Sequence, residues 1–262
     1  MYELSPLARH LTDTDIVIAA GAAMPASWTA LRDRHAQPLD SSMSRRYVEA
    51  VLTGAGDLLA LRTAAIAEVV AMNNQPAQAA IANVLDSAVA GELTAIYAPV
   101  GPGVYEHCAD RFATAAAKFA KACATVDLEG DPASLITGSQ AQRTQWAEGS
   151  VLARELDVAL DSMAAAARLA GVETPLVTND DMIALAVDDT TGTARRELWA
   201  AWDSRGRTGR WAAVAAIATI RPTPLDKIVH IERPPAMATR QVRRGIGWAT
   251  ETYDPLFESV SA

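Results

Sequence analysis

The sequence predicts a mostly α-helical protein: a multi-helix, bundle-like body over residues 1–173, and a small α+β part over residues 174–262 with a β-hairpin near residues 210–233. Three observations lead there. About a fifth of the 262 residues are alanine, the strongest helix former. Apolar side chains recur at three- and four-residue steps through most of the first 170 positions, the period of helices with one face turned inward. After Pro175 the texture changes, and β-branched residues gather on both sides of Arg221-Pro222-Thr223-Pro224, a pattern of short strands around a turn.

Residues 1–39 contain Pro6, Pro25 and Pro38 and read as irregular, with one short helix around residues 27–34. Asp40 is placed to cap a long helix. In that helix Tyr47, Val51, Leu58, Leu61, Ala65 and Val69 form one row. Val48, Leu52, Leu59, Ile66 and Val70 form a second, and so broad an apolar face predicts burial on several sides. Gly54 and Gly56 are placed to bend or break it. Asn73-Asn74-Gln75-Pro76 ends it, and Pro76 suits the first turn of the next helix, which carries Ile81, Val84, Leu85 and Val89.

Beyond the Pro/Gly punctuation of residues 98–103, a helix places Tyr105, Cys108, Phe112, Ala116, Phe119 and Cys123 on one face and Glu106, Asp110, Lys118 and Lys121 on the other. A connector over residues 126–138 leads to a helix with Leu152, Leu156, Ala159, Met163 and Ala167 inward, closed by Gly171. Residues 149–170 also have the rhythm of a helix-turn-helix. Asp157, however, stands where the turn prefers glycine, and residues 160–169 are mostly alanine, with few groups able to read base edges. One continuous amphipathic helix explains the same residues better. A helix over residues 193–203, the turn Ser204-Arg205-Gly206-Arg207-Thr208-Gly209, the expected hairpin and a last helix over residues 237–252 complete the order.

Charge is distributed unevenly. The chain carries a formal net charge of −8, yet residues 195–244 hold eleven Arg or Lys against four acids, Glu197, Asp203, Asp226 and Glu232. Trp199, Trp202, Trp211 and Trp248 lie in or just beyond that stretch. Arg195, Arg196, Arg205, Arg207, Arg210, Arg240, Arg243 and Arg244 are therefore the candidate anion- or nucleic-acid-binding residues: guanidinium forks hold phosphates bidentately, and tryptophans stack bases. Two readings of them stay open, pairing with the acidic body or within an assembly, and contact with an external anionic partner. Lysine is nearly absent, at three against twenty arginines. With the alanine excess, that looks like a GC-rich bacterium or its phage and weakens arginine abundance as a signal.

Motifs of catalysis are missing. Gly206-Arg207-Thr208-Gly209 lacks the spacing and the Lys-Ser/Thr of a phosphate loop and reads as a solvated turn. His107 beside Cys108 is too sparse for a zinc site, and on a helix the two side chains point about 100° apart. Cys108 and Cys123 lie fifteen residues apart on one helix, about 22 Å, beyond disulfide reach. The alternative of a divalent-metal site rests on Asp181 and Asp188, two helical turns apart within the acidic pairs 180–181 and 188–189. Capping and favourable charge at a helix start explain the same aspartates. Asp13 and Asp15 precede the apolar run 16–20 where a signal peptide needs positive charge, and no run is long enough to span a bilayer. The expectation is a cytoplasmic, non-catalytic interaction, assembly or regulatory protein. It would need no cofactor or membrane, would work with a protein partner or through self-association, and would meet nucleic acid or an acidic protein through its basic C-terminal surface. The rival is an all-α enzyme built around residues 180–189.

Overall fold

A computed structural model of the chain describes residues 5–36, 43–53, 56–72, 75–172, 180–187, 195–244 and 247–255. Among these residues it contains ten α-helices and one two-stranded antiparallel sheet, so the fold is mostly α with a small β-hairpin. The chain divides into two compact units, Met1–Pro102 and Gly103–Ala262.

The first unit holds α1 (Pro6–Ala19), α2 (Ala26–Ala36), α3 (Met43–Thr53), α4 (Leu58–Met72) and α5 (Gln75–Tyr97). Helix α1 replaces the irregular segment that the sequence predicts. The Ser5 hydroxyl accepts the Ala8 N–H at 3.2 Å, and Pro6 sits in the first turn, where its missing N–H costs nothing. Leu7, Val17, Trp28, Leu93 and Tyr97 make the core where α1 and α2 lie on α5. His10 is buried among them. Its Nε2 accepts the Trp28 indole N–H at 3.2 Å, and the Tyr97 ring stands edge-on to it at 6.3 Å.

The long second helix of the sequence reading is two helices, α3 and α4. Gly56 between them takes φ +89°, a region open to glycine. The Asp57 carboxylate then caps α4 by accepting the N–H groups of Leu59 and Ala60. Gly54 and Asp40 lie outside the described residues. Among the described side chains burial on several sides does not occur: Ala50 and Ala65 are buried, while Leu52 is 81% and Leu59 74% exposed, and Val48, Val51 and Ile66 are exposed as well; the side chains of Val69 and Val70 lie outside the described residues.

The second unit holds α6 (Gly101–Thr125), α7 (Gln140–Leu169), α8 (Ile183–Ala186), α9 (Arg195–Trp202), α10 (Trp211–Ala215), β1 (Ala238–Arg244) and β2 (Gly247–Tyr253). The predicted inner face of α6 is buried at Tyr105, Cys108, Phe112, Ala116 and Phe119. Helix α7 is continuous over 30 residues, opened by a reciprocal Ser139–Gln142 capping box and closed by Gly171 at φ +76°. Its run Met163–Ala167 has no exposed surface, because alanine lets neighbouring backbone approach closely. Phe112, Trp211 and Trp202 form a chain of rings at 5.9 Å spacings.

The sheet lies further along the chain than the sequence predicts. Residues 211–215 remain helical, Ile220 makes only an isolated bridge to Val187, and residues 225–227 form a 3-10 turn. Alanines at 212, 213, 215 and 216 favour helix, and Pro222 and Pro224 remove N–H donors that a ladder requires. The expected last helix over 237–252 is instead the hairpin, with Thr239 opposite Thr252, Gln241 opposite Thr250 and Arg243 opposite Trp248.

Candidate functional site

Much of the basic stretch is engaged within its own unit. Most of its candidate arginines are built into the second unit, stacked on rings and paired with carboxylates or carbonyls. The Arg207 guanidinium lies 3.7 Å from the centre of the Trp146 ring and donates to the carbonyls of Leu128 and Trp146. Arg210 lies 4.3 Å over Trp202, and burial pulls its pKa below the usual arginine value, against the nearby charge of Asp157. Arg196 holds Asp254 through two donors, one at 2.7 Å, and also donates to the Pro235 carbonyl, tying α9 to the chain on either side of the hairpin. Arg240 lies 4.9 Å over Tyr253 and reaches Glu251 at 3.5 Å. Arg205 donates to the carbonyls of Trp202 and Ser204. Arg233, which the sequence does not single out, lies over Trp199 and pairs with both Asp203 and Asp180. Its hydrogen bond holds the Asp203 carboxyl below its ordinary pKa.

The turn Gly206–Gly209 is not simply solvated. Its two glycines exchange backbone hydrogen bonds at 3.0 Å, and the N–H groups of Arg207 and Thr208 converge on the Glu129 carboxylate at 2.7 and 2.8 Å, joined by the Thr208 hydroxyl. Thr208 is 1% exposed. The turn thus does bind an anion, but one supplied by its own chain. Partial burial pushes the Glu129 pKa up, and the three hydrogen bonds outweigh it and bring the pKa below the ordinary value.

Among the described residues, two surface features combine cations with apolar or aromatic side chains. The first is the hairpin. Strand alternation puts Thr239, Gln241, Arg243, Trp248, Thr250 and Thr252 on one face, and all six are exposed. No carboxylate stands on that face, since Glu251 is on the other, opposite Arg240. Trp248 is 73% exposed and lies directly across from Arg243. Arg244 pairs with Gly247 in the register. The second is a cleft of about 520 Å³ to which Arg195, Arg221, Lys227 and His230 all contribute. Of these only Arg195 is among the sequence candidates. The signal for Arg221 and Lys227, a proline-fixed segment carrying cations, is present in residues 221–227 but has no recognisable spacing.

The remaining candidates fall elsewhere. Asp180 pairs with Arg233. Asp181 is buried with its Oδ1 3.7 Å from His230 Nδ1, and Asp188 lies outside the described residues. Among the described residues no three His, Cys, Asp or Glu side chains converge as metal ligands. His107 is exposed, while burial raises the Cys108 thiol to about 11, which leaves it protonated and unreactive at neutral pH. The hollow between α6 and α7, about 650 Å³, mixes Asp110, Lys118 and Glu155 with Arg111 and Arg154, and Lys118 reaches Glu155 at 3.5 Å. Its charges largely offset one another. Among the described residues no helix is long and apolar enough to cross a membrane. Compared with protein-family models, curated proteins and solved structures, the chain matches none.

Proposed function

We propose that this is a non-catalytic interaction protein whose C-terminal hairpin contacts nucleic acid. One observation carries the reading: an exposed, carboxylate-free ribbon face on which Trp248 and Arg243 stand side by side. A two-stranded ribbon fits a nucleic-acid groove. An exposed indole stacks on any base, with an adjacent guanidinium for the phosphate. Gln241, Thr239, Thr250 and Thr252 add side chains that both donate and accept hydrogen bonds. A protein partner or self-association draws support from the first unit, where Val48, Val51, Leu52, Leu59 and Ile66 lie at solvent.

Gel shifts with duplex and single-stranded DNA at two salt concentrations test the proposal. Binding should weaken steeply with salt as phosphate contacts release counterions. Replacing Arg243 and Arg244 by alanine should weaken binding to all sequences and flatten the salt slope, and Trp248→Ala should weaken single-stranded binding most. Absence of a shift at low salt, together with capture of an acidic protein by the same face, would make the hairpin a protein-binding element instead.

A further inference from the structure

We propose that the cleft formed by Arg195, Arg221, Lys227 and His230 is a binding site for a small phosphate monoester, with the phosphate among the cations and its organic body against an apolar wall. The cleft's volume, about 520 Å³, lies in the range of small-ligand pockets, roughly 300–1,000 Å³. Its lining joins those four side chains to an apolar surface from Val187, Val229 and Ile231, and among the described residues no Asp or Glu lines it. That division matches an amphipathic ligand with one charged end.

Three cations, Arg195, Arg221 and Lys227, line the cleft, and His230 stands beside them with its Nδ1 3.7 Å from Asp181 Oδ1; that number of cations favours phosphate over carboxylate. A single guanidinium fork satisfies a carboxylate, whereas a phosphate monoester carries close to two charges and three acceptor oxygens near neutral pH. The wall is also fixed in advance. The Arg221 N–H donates to the Ala186 carbonyl and the Thr223 N–H to that of Leu185, both at 3.0 Å, and the Tyr105 hydroxyl donates to the Thr223 carbonyl. A site whose backbone is already ordered loses less entropy on binding. A concave cleft of this size admits one ester end, in contrast to the flat ribbon, which suits an extended backbone.

Isothermal titration of the full chain with phenyl phosphate, inorganic phosphate and benzoate tests the assignment. Phenyl phosphate should bind saturably at one site, inorganic phosphate more weakly for want of the apolar contact, and benzoate weakest. Lys227→Ala, on an exposed 3-10 turn, should lower phenyl phosphate affinity about tenfold, the usual effect of one charge-assisted hydrogen bond, and Arg195→Ala by a similar factor. Lys227→Arg should restore most of the loss. No saturable binding of phenyl phosphate, or unchanged affinity in Lys227→Ala, would overturn the proposal. Equal affinity for phenyl phosphate and phosphate would overturn the monoester assignment. The site shares no residue with the hairpin face, so the double Arg243/Arg244 variant should bind phenyl phosphate like the parent. A failed gel shift alongside intact titration would sink only the nucleic-acid reading.

Discussion

Replacing Glu129 by alanine should cost the C-terminal unit about 2–3 kcal/mol at pH 7. The carboxylate collects three donors from the 206–209 turn. A hydrogen bond to a charged group contributes about 1.5–3 kcal/mol when well shielded, but Glu129 is exposed as a residue, so solvent screening reduces each to the order of 1 kcal/mol. Removing the acceptor also leaves the N–H of nearly buried Thr208 to find another partner. At about 2–4 °C per kcal/mol for a unit of this size, the melting temperature should drop by roughly 5–10 °C. Glu129→Gln, which keeps one acceptor oxygen but loses the charge, should cost about half as much.

The pH dependence separates charge from volume. The folded pKa of Glu129 is depressed, so the folded state binds its proton less readily than the unfolded chain. Its stabilisation is complete above the unfolded value, roughly 4.3, and is lost as pH falls through the folded one. Urea denaturation followed by far-ultraviolet circular dichroism should therefore show the parent and Glu129→Ala far apart at pH 7 and converging below pH 4. Equal midpoints at pH 7, or a gap that does not change with pH, would refute this account of the turn.

Phe112→Ala should destabilise by about 3–5 kcal/mol, since the ring is fully buried 5.9 Å from the Trp211 ring; a variant that melts like the parent would show the site is not packed. His10 should make the first unit sensitive to mild acid. Burial lowers its pKa, opposed in part by Asp13, and its Nε2 must stay unprotonated to accept from Trp28. The stabilisation is then complete above about 6.5 and is lost as pH falls from there through the folded value. His10→Gln should remove that slope between pH 7 and 5 in thermal melts, and an unchanged slope would place the titrating group elsewhere.

Helices with a clean period were legible in the sequence because burial and spacing report the same fact, as on α6 and α7. Helix α1 was not, since Asp13 and Asp15 interrupt its apolar row, although Ser5-Pro6 carried the local start signal. The hairpin was not legible, because its strands lack the apolar alternation that burial would impose. Cross-strand pairs such as Gln241–Thr250, bonded at 2.9 Å, support it instead. The charge asymmetry was legible and its destination was not. Arg207 finds Trp146 across 61 positions and Thr208 finds Glu129 across 79, and separations of that order leave no local trace.

The burial of most of the tryptophans has an optical consequence. Trp28, Trp202 and Trp211 have no exposed surface, Trp199 has 3% and Trp146 is half-buried, whereas Trp248 is 73% exposed. A neutral collisional quencher such as acrylamide will reach the Trp248 indole first, and the red edge of the emission will come mainly from it. The accessible fraction of the protein's intrinsic fluorescence is therefore a label already attached to the ribbon, positioned opposite Arg243. It reports chiefly the solvent exposure of that one face, without chemical modification, while the four buried indoles are shielded from the quencher.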